Sequence, residues 1–222
     1  MCTIPGLSTV CRESYNDPEA VYRRLKRLGM DLVTVADHDS IDAAESLRRH
    51  ADFLLSEEVT CRLPSGTELH VGVYDITDRD HAQLQCRQAD CFAEHFPALE
   101  THNAHMLRAA NRGASGLARE MAKAEVGGSD AHAMPSVGCV WTAVSSARTK
   151  QGYLEGLRYG RGRVRGENGS AWKLTRDVLA IGAAMARERL VAAVLALLAL
   201  ARCARAKGTA ARAGAEPAGG VA

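Results

Sequence analysis

Several features that would fix a function class are absent from this chain. Its seven cysteines (residues 2, 11, 61, 86, 91, 139 and 203) contain no Cys-x-x-Cys pair. An odd number without paired spacing predicts reduced cytosolic thiols, and speaks against a disulfide framework or a zinc knuckle. The net charge is +2, which argues for no particular partner. Basic residues do crowd the last third, from Arg148 to Arg212, as a solvated face or as a surface for acidic groups. No internal repeat is visible. Residues Met1 to Val10 carry neither a basic start nor a long apolar run, so no signal peptide is expected. Gly160 to Gly166 is glycine-rich and basic, but lacks any nucleotide-binding spacing. The longest apolar run, Leu190 to Ala201, has twelve residues, against the about 20 that span a bilayer.

What is present begins with size. A chain of 222 residues with 46% hydrophobic and 24% charged residues has the makings of one sizeable globular domain. Asp17-Pro18 predicts a helix start, with Val21, Leu25 and Leu28 on one face and Gly29 as its stop. Leu32 to Val35 then reads as a buried strand that delivers Asp37, His38 and Asp39 at its C-terminal end. Helix and strand alternating at this interval predict an α/β fold. Asp37, Asp39 and Ser40 have two readings: as caps of the short helix that runs to about Arg49, or as part of a site. Carboxylate and imidazole are the ligands that intermediate divalent metals take.

Asp52 to Leu55 predicts a second strand, ending at Ser56 to Thr60 with its adjacent acids Glu57 and Glu58. A turn at 64–67 leads to a half-buried strand over Glu68 to Ile76, which carries His70. Asp78 to His95 has a helical pattern, with His81 and His95 as surface histidines. Ala98 to Asn103 reads as a short strand with polar residues at its end, and His105 to Lys123 as a helix. Glu125 to Gly128 is a brief strand into Ser129, Asp130, Ala131 and His132. Asp130 and His132, one residue apart after two glycines, can both turn toward one ion, since glycine lets the backbone come close. A helix is expected over Tyr153 to Tyr159, and a loop at 160–166. Trp172 to Arg189 is helical in pattern. The apolar run after it is a packed helix, an interfacial helix with basic flanks, or a weak membrane anchor. Residues 207–222, rich in alanine and glycine, are expected to be disordered.

Two strings carry a resemblance. Ala36-Asp37-His38-Asp39 is similar to the Thr-Asp-His-Asp motif of the PHP superfamily (polymerase and histidinol phosphatase domains), with alanine in place of threonine. Gly127 to His132 resembles that family's late Gly-Ser-Asp-Ala-His motif, and Ser136 to Thr142 resembles its last strand. The resemblance spans roughly residues 12 to 177 and implies a distorted (β/α)7 TIM-like barrel. Here the barrel is expected to be incomplete: the family's His-x-His on its first strand and a mid-chain histidine find no counterpart in these residues. The implied domains are an incomplete PHP-like unit at 1–166, a helical extension at 167–206 and a tail at 207–222.

By the same resemblance the metal ligands are His38, Glu58, Asp130 and His132, with His70 as a further candidate. Asp37 and His38 take catalytic roles, Asp37 orienting His38 or a water. His102, Asn103 and Arg161 are candidate substrate contacts. The implied cofactors are divalent ions (Mn, Fe or Zn), and the implied reaction is hydrolysis of phosphate esters in the cytoplasm. Two alternatives stand beside it. One is a non-catalytic paralogue acting as a binding or scaffold protein. The other is a nuclease-like enzyme acting on nucleotides or RNA ends, with arginines holding phosphates. The expected partners are a small phosphorylated substrate or nucleotide, nucleic acid, and a membrane surface through 172–206.

Overall fold

The computed structural model describes residues 14–62, 66, 68–84, 96–145 and 147–213. The expected turn at 64–67 lies largely outside these residues. So do the surface position of His95 and the tail beyond 213.

The first helix forms as the sequence predicts. In α1 (Pro18–Arg27) the Asp17 side chain accepts a hydrogen bond from the amide of Ala20, Pro18 sits in the first turn, and Gly29 follows the C-cap with φ +81°. Its apolar face packs on β1 (Val33–Val35), which pairs in parallel with β2 (Phe53–Arg62). Tyr22 and Leu25 of α1 join Val33, Phe53, Leu55, Ala44 and Leu47 in one core, closed by the short α2 (Asp42–Glu45). Asp52 at the start of β2 accepts from the Tyr22 hydroxyl at 2.7 Å and pairs with Lys26 at 2.6 Å.

β2 is longer than expected. It runs on past Leu55 and pairs antiparallel with β3 (Glu68–Tyr74), so Glu57 and Glu58 lie inside a strand. The reason is a second small core, where Val59 and Cys61 of β2 pack on Val71 and Val73 of β3 and on Leu84 of α3 (Asp78–Leu84). Pairing this apolar hairpin extends the ladder through the charged residues. Period-2 alternation then sends Glu57 and Glu58 to opposite faces.

The second half repeats the helix–strand rhythm. β4 (Ala98–Asn103) and β5 (Ala124–Gly128) are parallel neighbours joined by α4 (Arg108–Glu120). α4 starts later than expected, and His105 lies in the turn before it. Asn111 of α4 holds that turn by accepting from the amide of Asn103 and donating to its carbonyl. A 3-10 turn (Met134–Ser136) leads to β6 (Val140–Ala143), and α5 (Lys150–Arg158) follows. The expected loop at 160–166 contains a strand instead, β7 (Arg163–Gly166), antiparallel to β6. Val164 packs inward over Gly127 while Arg163 and Arg165 face out. That is ordinary strand alternation.

The described strands form three pieces, β1-β2-β3, β4-β5 and β6-β7, and no closed barrel. The expected (β/α)7 architecture thus reduces to a mixed α/β arrangement. One helix, α6 (Ala171–Ala213), ends the described chain. It runs unbroken past the expected boundary at 206. Val178, Leu179 and the leucines from Leu190 to Leu200 are exposed along it. No helix of the described residues is long and apolar enough to cross a membrane.

Candidate metal centre

The first cluster is set by strand register. Beyond Val35 the chain keeps its parallel pairing with β2: the Glu58 amide donates to the Asp37 carbonyl at 2.9 Å and the Asp39 amide to the Glu58 carbonyl at 3.0 Å. His38 therefore stands opposite Glu58. Asp39 then turns the chain with φ +51°, its carboxylate accepting from the Thr60 amide at 2.8 Å. On the other side of β2, His70 pairs with Thr60, one pleat from Glu58, and Gly72 lies directly opposite Glu58. A Cβ at Gly72 would stand 2.8 Å from the Tyr74 hydroxyl, so the missing side chain makes room for Tyr74 beside the cluster.

The Glu58 carboxylate lies 3.7 Å from His38 Nε2 and 3.3 Å from His70 Nδ1. The two imidazoles meet edge to face with centroids 4.6 Å apart. Ligand-capable atoms of His38, Glu58 and His70 all lie within 4.8 Å of one another. His38 Nε2 is buried with no hydrogen-bond partner. Leaving such an atom unsatisfied costs about 1–3 kcal/mol. A cation held with Glu58 would satisfy it.

The second cluster gathers where β4 and β5 end side by side. Asp130, just past β5, adopts φ +43°, a left-handed conformation that aspartate tolerates better than most residues. His132 Nδ1 lies 3.0 Å from the Asp130 carbonyl oxygen. A carbonyl cannot donate, so the ring must, and its free lone pair belongs to Nε2. From β4, the Asn103 amide donates to Asp130 and to Glu100, both at 3.1 Å. His105 stacks on His132 with centroids 5.4 Å apart. Ligand-capable atoms of His105, Asp130 and His132 also lie within 4.8 Å of one another.

Glu100 links the two clusters. Burial pushes its carboxyl up to about 7, against the Asn103 amide, which lowers it, and the negative charges of Asp130 and Glu58 add to the rise. Water reaches it through the open cleft and works against the rise. Its Oε1 occupies the space a Cβ at Gly128 would need, at 2.8 Å. Carboxylates from both halves of the molecule thus raise one another's cost of ionisation. The cleft they line, with Asp37 on its wall, has a volume of about 2290 Å³. Small-ligand pockets run to roughly 300–1,000 Å³, so this is an open trough.

The other expected residues lie apart. His102 follows an irregularity in the β4–β5 register and lines a second cavity of about 840 Å³, with Lys123, Arg158, Arg163 and Arg165. Its Nε2 is buried without a hydrogen-bond partner. Arg161 lies over the Tyr159 ring at 5.6 Å and lines neither cavity. His81, expected at the surface, pairs at 2.6 Å with Glu57, whose side chain is fully buried. Burying a carboxylate requires a partner, and α3 brings His81 to it.

His105 is the residue that sequence reasoning missed. The signal was there: Asn103-Ala104-His105, at the end of β4, repeats the spacing of Asp130-Ala131-His132 beyond β5.

Both donor sets, imidazole nitrogen with carboxylate oxygen, suit a divalent transition ion. The orphaned His38 nitrogen and the opposed carboxylates fit one as well. Residues 108–161 match the family model described as PHP-associated. The match takes in α4, β5, Asp130, His132 and β6, and leaves His38, Glu58 and His70 outside it. No curated protein matches the chain.

Proposed function

We propose that this chain, which carries a PHP-associated segment and is thereby consistent with membership of the PHP superfamily, is a metal-dependent hydrolase of phosphate esters. The observation that carries the reading is the meeting of two donor clusters on one trough, lined by His38, Glu58 and His70 of the first and by Asp130 and His132 of the second. The parallel pairs β1–β2 and β4–β5, each bridged by helix, are the units of a (β/α) barrel. On this reading the trough is the mouth of a distorted, incomplete one, since such sites gather at the C-terminal ends of parallel strands.

Bound ions would lower the pKa of a water and neutralise charge on phosphoryl oxygens. His38, Glu58 and His70 would hold one ion, and Asp130 and His132 another. Mn, Fe and Zn all accept this donor set. Asp37, on the trough wall, orients His38 or a water. Asn103 fixes the carboxylates of Asp130 and Glu100 by giving one hydrogen to each. Glu100, whose carboxyl is pushed up to about 7, would give its proton to the leaving oxygen as general acid.

A second reading concerns substrate class. The cavity behind β4 is lined by Lys123, Arg158, Arg163 and Arg165, a cationic wall suited to a further phosphate, as in a nucleotide or an RNA end. The test is a phosphate-release assay on the full chain with Mn²⁺, comparing small phosphomonoesters with short oligonucleotides. Metal-dependent release that Glu58→Gln abolishes supports the hydrolase. Steep salt dependence with oligonucleotides favours the nuclease-like form. Release that is absent with every substrate and metal would leave the non-catalytic scaffold as the better account.

A further inference from the structure

The Asp130–His132 cluster has a member with a support of its own. His105 Nε2 lies 2.9 Å from Asp177 Oδ2, the two side chains being 13% and 3% exposed. Asp177 belongs to the second turn of α6, far along the sequence. Its other oxygen is held at 3.3 Å by Arg176, whose guanidinium also donates to the Ser136 hydroxyl at 2.8 Å. A carboxylate buried this far and held on both oxygens fixes what it touches.

We propose that His105 is a third ligand of the ion held by Asp130 and His132, and that Asp177 is its positioning residue. Asp177 accepts the proton on Nε2, so the lone pair of His105 sits on Nδ1, facing outward from the pair. Metal-binding histidines typically give their second ring nitrogen to a carboxylate, which fixes the tautomer and raises ligand basicity. Donors around a tetrahedral ion stand on the order of 3.3 Å apart at ordinary bond lengths. Each of the three residues already brings one ligand-capable atom within 4.8 Å of the others, so a shared ion asks for small side-chain adjustments. The helix expected to be an extension is then part of the centre, and metal occupancy is coupled to the seating of α6.

This inference rests on the metal-centre reading above, and the test separates the two. Zn²⁺ alone is titrated into the full chain by calorimetry with chelator competition, and apo melting is followed by circular dichroism. His105→Gln is the decisive variant. Its amide nitrogen can still donate to Asp177 from the Nε2 position, but nothing replaces Nδ1. The expected result is a parent-like apo melting temperature with Zn²⁺ affinity lowered at least about 10–100-fold, and a fall of similar size for Asp177→Asn. In the unmodified protein, selective ¹⁵N labelling of histidine should show the His105 Nδ1 signal shifting on Zn²⁺ addition. If His105→Gln binds like the parent while Asp130→Ala abolishes binding, or if the Nδ1 signal stays still, the inference is overturned and the metal centre stands. If the parent takes up no Zn²⁺, both fall.

Discussion

The two clusters hold similar donors in opposite ways. At His105, Asp130 and His132 every polar group is fixed: Asp177 takes one imidazole, the Asp130 carbonyl takes the other, and Asn103 takes the carboxylate. At His38, Glu58 and His70 strand register brings the side chains together, and they meet one another through the His38–His70 ring contact and the Glu58 carboxylate. His38 Nε2 has no partner and Glu58 sits 3.7 Å away. The second cluster is preorganised and costs little to occupy. The first still carries the cost of an unsatisfied nitrogen until something occupies it. Preorganisation is what separates tight sites from loose ones built of the same ligands.

This contrast can be broken in order of expected effect. Asp130→Ala with His132→Ala removes two donors from the preorganised site, and affinity for its ion should fall by more than about 100-fold, read by chelator competition. Glu58→Gln should empty the looser site while leaving the other occupied, halving the ion count in mass spectrometry. Gly127→Ala sharpens the contrast from the backbone side. A Cβ there would meet the His102 carbonyl at 2.8 Å and the Val164 side chain, so urea unfolding should show a loss of about 1–3 kcal/mol, with metal binding weakened only at the Asp130 site.

A subtler effect lies in pH. The Glu100 carboxyl is raised to about 7 by burial and by its carboxylate neighbours. Its folded value lies above its unfolded one, so the stability it contributes is complete below the ordinary carboxylate range and is lost as pH rises through about 7. The metal-free protein should therefore melt lower at pH 8 than at pH 5. Glu100→Gln should flatten that slope, and Mn²⁺ should restore the loss at pH 8. The smallest effect belongs to Asp52, which precedes β2. Burial works against its charge, but Lys26 and Tyr22 outweigh that and lower its pKa. The stability it adds is present above the ordinary aspartate value and disappears as pH falls through its lower folded value. Tyr22→Phe should reduce the melting temperature at neutral pH and make no difference in strong acid.

The sequence was legible where one local rule decided the outcome. Asp17, Pro18 and Gly29 mark α1 at both ends, and Gly127 to His132 announces a strand that runs into Asp130 and His132. It was least legible where tertiary pairing overrode a local cue. The two acids at 57 and 58 read as a strand end, yet the Val59–Cys61 core carries β2 through them. Three glycines made 160–166 look like a loop, although Arg163-Val164-Arg165 already alternates. His105 was hidden because its partner, Asp177, is 72 residues away. Nothing local ties a turn after β4 to a helix near the end of the chain.

The most direct test of the metal centre is an ion count. The full chain, purified without a histidine tag, is dialysed against Mn²⁺, Fe²⁺ or Zn²⁺, freed of unbound metal and analysed by mass spectrometry, beside the Asp130→Ala, His132→Ala variant. The account predicts ions retained by the parent, and loss from the variant of the one held by Asp130 and His132, with only the His38 site left to fill. Parent and variant both returning empty would contradict it.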